Sequence, residues 1–179
     1  AADPHLESYR ASHPEFDRWL THNTKAHRVD GYRIVYCSTK RANQPPGDLV
    51  TEQFRALADI MDRFNQGQAT ITYNQNVCLQ HIAERDLVAL HDALIEAHMA
   101  TPNIDSLNDI ICCPGHDFCN LANAQSIPIA KQISERFVET EELNDVGKLH
   151  VNISGCINAC GHHHTGHIGI LGIDKRGED

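Results

Sequence analysis

Apolar and polar positions alternate or recur along this chain in blocks that predict an α+β protein. Residues 1–30 are polar and His-rich. Ser12-His13-Pro14-Glu15 predicts a helix start, with Ser12 as N-cap and proline in the first turn, and a short helix through about Thr21 within a linker. Tyr32-Arg33-Ile34-Val35-Tyr36-Cys37 is β-rich and bounded by polar turns, which predicts a strand. Pro45-Pro46-Gly47-Asp48 marks a loop. Thr51 to Asn65 carries Phe54, Leu57, Ala58, Met61 and Phe64 at helical spacing. Thr70 to Leu79 predicts strands interrupted at Asn74-Gln75-Asn76. Glu84 to Met99 predicts a second amphipathic helix through Leu87, Leu90, Leu94 and Ile95. Strand, helix, two strands and helix make an α+β unit with its helices on one sheet face.

A second unit starts near Ser106. Asn108 to Cys112 and Leu149 to Ile153 predict strands, each running into a cysteine-bearing loop. Helical segments are expected at Leu121 to Ala124 and Pro128 to Phe137. Ile168 to Ile173 predicts another strand, followed by a Lys175-Arg176-Gly177-Glu178 turn. A turn with no returning strand leaves a ladder unpaired, so the chain is expected to be a fragment cut inside a sheet. The expected organisation is an N-terminal linker and helix (1–30), a half-domain (31–103) and a second α+β domain truncated at its C-terminal end (104–179).

The chemistry lies in the loops. Cys113 and Cys119 are separated by five residues, Cys156 and Cys160 by three, and 36 residues lie between the pairs. Four convergent thiolates suit a 4Fe–4S cluster or a structural zinc ion. Zinc pairs are usually two to four residues apart, so the wide first pair favours iron–sulfur and leaves zinc open. Gly155 and Gly161 flank the tighter pair, where backbone freedom lets two sulfurs aim at one point. The chain has seven cysteines in 179 residues. An odd count of thiols in a chain of this length argues for a reducing, cytoplasmic setting with a metal site, not a disulfide framework. Cys37, Cys78 and Cys112 read as core residues.

Charge narrows the partners. Fifteen Lys and Arg stand against 24 Asp and Glu, a formal net charge of −9. This disfavours a nucleic-acid phosphate backbone. The sequence has no apolar run of about 18 residues, the length needed for a membrane-spanning helix. Hydrophobic residues make up 41% of the chain, enough for a packed core.

The two cysteine loops, Cys113-Pro114-Gly115 through Cys119-Asn120-Leu121-Ala122 and Gly155-Cys156-Ile157-Asn158-Ala159-Cys160-Gly161, resemble the sirohaem-dependent sulfite and nitrite reductases. Gly47-Asp48-Leu49, Gln53 to Ala58 and Thr72-Tyr73-Asn74-Gln75-Asn76 look like the ferredoxin-like half-domain that precedes each sirohaem-binding unit in that family, here the second of its two repeats. The His162-His163-His164 run is similar to a bacterial subgroup of nitrite/sulfite reductases. The resemblance runs from about Phe16 to the end. It implies that Cys113, Cys119, Cys156 and Cys160 bind a 4Fe–4S cluster, and that Cys160 also bridges to the sirohaem iron as its proximal ligand. It implies a six-electron reduction of sulfite to sulfide or of nitrite to ammonia, with ferredoxin or a flavoprotein reductase as donor.

No catalytic residue is assigned within this chain. In the family the anion-binding Arg and Lys come largely from the first repeat, an N-terminal partner absent here. From the first cysteine loop onward only Lys131, Arg136, Lys148, Lys175 and Arg176 are cationic. The fragment alone is therefore expected to be inactive, and an isolated half could lack both cofactors. Around the cofactors, Asn158 is either a hydrogen-bond donor or a turn residue in a left-handed conformation. His116, His162, His163 and His164, with His167 nearby, either contact the cofactors or form an exposed polar loop. Gln75 and Asn76 either face the cofactor or bridge strands at a turn. The reading from another class is a non-catalytic binding module stabilised by zinc or an iron–sulfur cluster.

Overall fold

The computed structural model describes residues 4–137, 143 and 146–173. Its helices are α1 (Pro4–Ser12), α2 (Pro14–Asn23), α3 (Thr51–Phe64), α4 (Leu87–Glu96) and α5 (Ile127–Arg136). Its strands are β1 (Thr24–Ala26), β2 (Tyr32–Cys37), β3 (Thr70–Ile71), β4 (Val77–Ala83), β5 (Ile111–Cys112), β6 (Val151–Ser154) and β7 (Ile168–Leu171). The fold is α+β. Among the described residues no helix is long and apolar enough to cross a membrane. Two compact units form. One combines the residues up to Thr39 with Leu49–Ile104; the other combines Lys40–Asp48 with the described residues from Asp105 onward.

The first unit is an antiparallel sheet ordered β1-β2-β4-β3. Val35 and Cys37 on β2, and Val77, Leu79 and Ile82 on β4, face its core. Helix α3 buries Gln53, Leu57 and Ile60. Of the expected stripe, Leu57 is buried and Met61 and Phe64 pack against the core, while Ala58 is exposed and Phe54 is 57% exposed. Gln53 lies at the start of the helix, accepting from the Val50 N–H at 3.1 Å and donating to the Ala97 carbonyl at 3.2 Å. Helix α4 buries Leu87, Leu90, His91 and Leu94, and Glu84–Asp86 ahead of it is a 3₁₀ turn.

The N-terminal segment contributes Phe16, Trp19 and Leu20 to the same core. Ser12 is not an N-cap. It ends α1, and its hydroxyl bonds back to the Ser8 and Tyr9 carbonyls. His13 precedes α2, and Pro14 occupies the first turn, where its missing N–H costs nothing.

The second unit is a parallel sheet ordered β5-β6-β7. Leu107, Ile110, Cys112, Ile127, Ala130, Val151 and Ile153 form its core. The expected helix over Leu121–Ala124 is absent. The Asn123 and Ala124 N–H groups instead donate to the Gly155 carbonyl, at 2.8 and 3.0 Å. That long-range pairing takes the donors a helix would need. The expected 175–178 turn lies outside the described residues.

A buried ion pair holds segment 40–48 in this unit. Lys40 Nζ donates to Asp109 Oδ1 at 2.9 Å, with side-chain exposures of 2% and 0%. The other Asp109 oxygen accepts the Asp105 N–H at 3.1 Å. Burial pulls the Lys40 amine below its ordinary value, and Asp109 opposes that pull.

Candidate cysteine-loop site

Parallel strands place their connecting loops at the carboxyl edge of the sheet, where α/β folds bind ligands. Cys113 follows β5 directly. Cys156 follows β6 by two residues. The Cys113 N–H donates to the Ile153 carbonyl at 3.0 Å, continuing the β5–β6 ladder into the first loop.

Glycines bring the two loops into contact. A Cβ on Gly155 would lie 3.0 Å from the Gly115 Cα, 2.8 Å from the Ala124 carbonyl oxygen and 2.9 Å from Ser126 Oγ. Gly115 itself has φ +57 and would meet the Ser126 nitrogen at 2.6 Å. The Gly155 N–H points at Cys113 Sγ, 3.1 Å away. That bond fixes the sulfur between the two loops. Ser126 Oγ lies 3.5 Å from the same sulfur.

The second loop is folded as tightly. Gly161 donates to Ser154 Oγ at 3.1 Å, and a Cβ there would fall 1.9 Å from the Ile153 carbonyl oxygen. Ala159 turns the chain with φ 58, so the left-handed residue is Ala159 and not its neighbour Asn158, which is exposed.

The four sulfurs differ in access. Cys113 and Cys156 are buried, Cys119 is half-buried and Cys160 is exposed. Among the described residues no three His, Cys, Asp or Glu side chains are gathered in a metal-holding group. The backbone thus brings the loops together, while the side chains do not converge on one point. The donor set fits an iron–sulfur cluster in chemistry and in loop placement. Cys112 is separate: burial pushes its thiol up to about 12, with Cys113 and nearby carboxylates adding to the effect. Burial likewise pushes Cys37 up to about 12. Neither is a ready thiolate.

The loops expose apolar side chains. Phe118 is 76% exposed, Leu121 74% and Ile157 80%. His116 is exposed in the first loop. His162 to Thr165 form a tight turn, begun by the left-handed φ 52 of His162. The His162 carbonyl accepts from Asn152 Nδ2 at 3.0 Å and from the Thr165 hydroxyl. His163 and His164 rings meet edge to face, and His163 Nδ1 is buried without a hydrogen-bond partner among the described residues. His150 and His167 pair through a 3.0 Å bond from the His150 N–H to His167 Nδ1.

Gln75 and Asn76 belong to the other unit. Asn76 is fully buried, and its side-chain oxygen accepts from the Thr39 N–H at 3.1 Å and hydroxyl at 3.2 Å. Gln75 has φ 62 and its carbonyl accepts from the Thr39 hydroxyl. Both bridge strands at a turn. Ser126, Ser154 and the Lys40–Asp109 pair were not foreseeable: a lone serine ahead of a helix or a glycine is a common loop pattern, and the ion-pair partners are 69 positions apart.

Comparison with known proteins adds a family. Residues 36–97 match the nitrite/sulfite reductase ferredoxin-like half domain. A ferredoxin–nitrite reductase of Synechococcus elongatus is 28% identical over 132 residues, covering 74% of this chain and 25% of that protein. An assimilatory ferredoxin-dependent nitrite reductase of Haloferax mediterranei is 29% identical over 138 residues, covering 74% and 23%. The chain thus spans about a quarter of the length of these curated relatives. The NirA protein of Mycobacterium tuberculosis shares the fold with a TM-score of 0.61 at 23% identity, over 79% of this chain and 25% of that one.

Proposed function

We propose that this chain, a member of the nitrite/sulfite reductase family, is the C-terminal, cluster-ligating part of a sirohaem-dependent reductase converting sulfite to sulfide or nitrite to ammonia. The supporting observation is the contact of the two cysteine loops at the carboxyl ends of adjacent parallel strands, through Gly115 and Gly155. Cys113, Cys119, Cys156 and Cys160 would hold a 4Fe–4S cluster, and Cys160 would also bridge to sirohaem. When bound, the coupled pair supplies electrons singly to an anion at the haem iron.

The residues of this chain do the positioning. Gly155 aims its N–H at Cys113 Sγ and holds the first loop through its carbonyl. Ser154 Oγ fixes Gly161, and so the chain just beyond Cys160. Anion binding is assigned to the other repeat of the parent protein. Here Lys40 is committed to Asp109, Lys148 to Asp105 and Arg41 to Gln44. Ferredoxin is the donor best supported, since the relatives are named for it. A cytoplasmic setting accords with seven free cysteines.

Anaerobic reconstitution with iron and sulfide tests the reading. About four irons and matching labile sulfide per chain, with visible absorption, are expected. Serine at any of the four cysteines should lower the iron content. A colourless protein taking up zinc alone would favour a structural binding module instead. Reductase activity with a reduced dye in the isolated chain would refute the assignment of anion binding to the other repeat.

A further inference from the structure

A pair of imidazoles lies in the first unit, apart from the cysteine loops. His27 Nε2 and His81 Nδ1 are 3.0 Å apart, from residues 54 positions apart in sequence. The approach is built by the sheet. Arg33 pairs with Ile82 but Val35 pairs with Leu79, so β4 carries one extra residue opposite β2. A bulge of this kind swings a side chain out of the ladder. The freed His81 N–H is taken up by Asn65 Oδ1 at 3.1 Å. His81 is exposed and His27 half-buried, so solvent reaches both.

His27 is held on its other side as well. Its Nδ1 lies 2.8 Å from the Val29 N–H and 3.3 Å from the Val29 carbonyl. Either neutral tautomer therefore has a backbone partner. With Nδ1 accepting from the N–H, Nε2 carries the proton and donates to His81. With Nδ1–H donating to the carbonyl, the Nε2 lone pair is released. A ring N–H bound to a backbone carbonyl is the usual support of a metal-ligating histidine.

We propose that His27 Nε2 and His81 Nδ1 together bind one borderline divalent cation of the zinc or nickel class. Two imidazole nitrogens on one tetrahedral zinc lie about 3.3 Å apart, close to the spacing here. Imidazole suits these ions over magnesium or calcium. Binding needs a tautomer shift at His27, which moves the proton of the neutral ring from Nε2 to Nδ1. Asp30, Glu84 and Arg33 line a recess of about 270 Å³ shared with His27, so two carboxylates stand there against one guanidinium. Among the described residues no third side chain completes the set, so water fills the remaining positions.

The test is a zinc chloride titration of the reduced full chain, followed by ¹⁵N correlation of the histidine rings. This reads each imidazole separately, and cysteine-bound zinc does not obscure it. His27 is expected to pass to its Nδ1–H form while His81 keeps its proton on Nε2 and its Nδ1 resonance shifts on coordination, together and with one saturation curve. H81N should abolish the change at His27, and H27N the change at His81, with circular dichroism unchanged. Rings that do not respond while other resonances do would overturn the proposal. So would a His27 response that survives H81N.

Discussion

His91 packs against the rings of Phe16 and Trp19, with centroids 5.3 and 4.7 Å away. Desolvation holds its pKa below the ordinary 6.5, against the opposing pull of Asp92 and Glu15. The unfolded chain therefore takes up this proton at a higher pH than the folded one. Stability contributed by neutral His91 is present above about pH 6.5 and is lost as pH falls from there through the folded value. H91F should flatten that loss, read as the denaturation midpoint of each protein between pH 7 and pH 5. At Gly161, space decides. G161A drives a methyl group onto the Ile153 carbonyl and should cost at least about 1–3 kcal/mol, checked by urea unfolding. Some residue-scale features were readable beforehand. The cysteine spacing and the flanking glycines drew attention to the two loops. The left-handed residue between Cys156 and Cys160 was not readable, because alanine carries no signal for positive φ.

Elements were legible where their own residues decided them. The strand Tyr32–Cys37 is dense in β-favouring side chains and formed with the expected bounds. Helix α3 began at Thr51 as expected and turns Leu57, Met61 and Phe64 to the core, yet it leaves Phe54 out and buries Ile60, since the two are equally apolar and only the sheet beneath selects between them. Leu121–Ala124 was misread because its donors serve a glycine some 30 residues away. The Lys40–Asp109 pair belongs to this scale, since it ties segment 40–48 to the approach of β5. D109N leaves a buried ammonium without its counter-charge and should cost about 3–5 kcal/mol. Replacing both partners, as K40M/D109L, should restore much of that loss. The denaturation midpoints of the single and double variants give the comparison.

For the whole molecule, thiol access sets an order of reactivity. Cys160 is exposed, Cys119 half-buried and the other five buried. Brief alkylation of the reduced native chain should therefore label Cys160 first and Cys119 second, as read by peptide mass spectrometry. Assembly of a cluster should protect both. Early labelling of Cys113 or Cys156 would mean that the Gly115–Gly155 contact opens readily in solution. The likeness to nitrite/sulfite reductases was legible in short-range motifs, those of the half-domain falling within the matched residues 36–97. The relation to a longer protein was expected too, from the second-repeat motifs, but the span of about a quarter of the relatives' length was not, because no motif carries length.

Phe118, Leu121 and Ile157 leave oily side chains bare on the same loops that carry the half-buried Cys119 and the exposed Cys160. Handled in air, molecules should first clump through these side chains and then weld into cross-linked dimers. Purification should therefore depend more on an oxygen-free glovebox and a trace of mild detergent than on the choice of buffer salt.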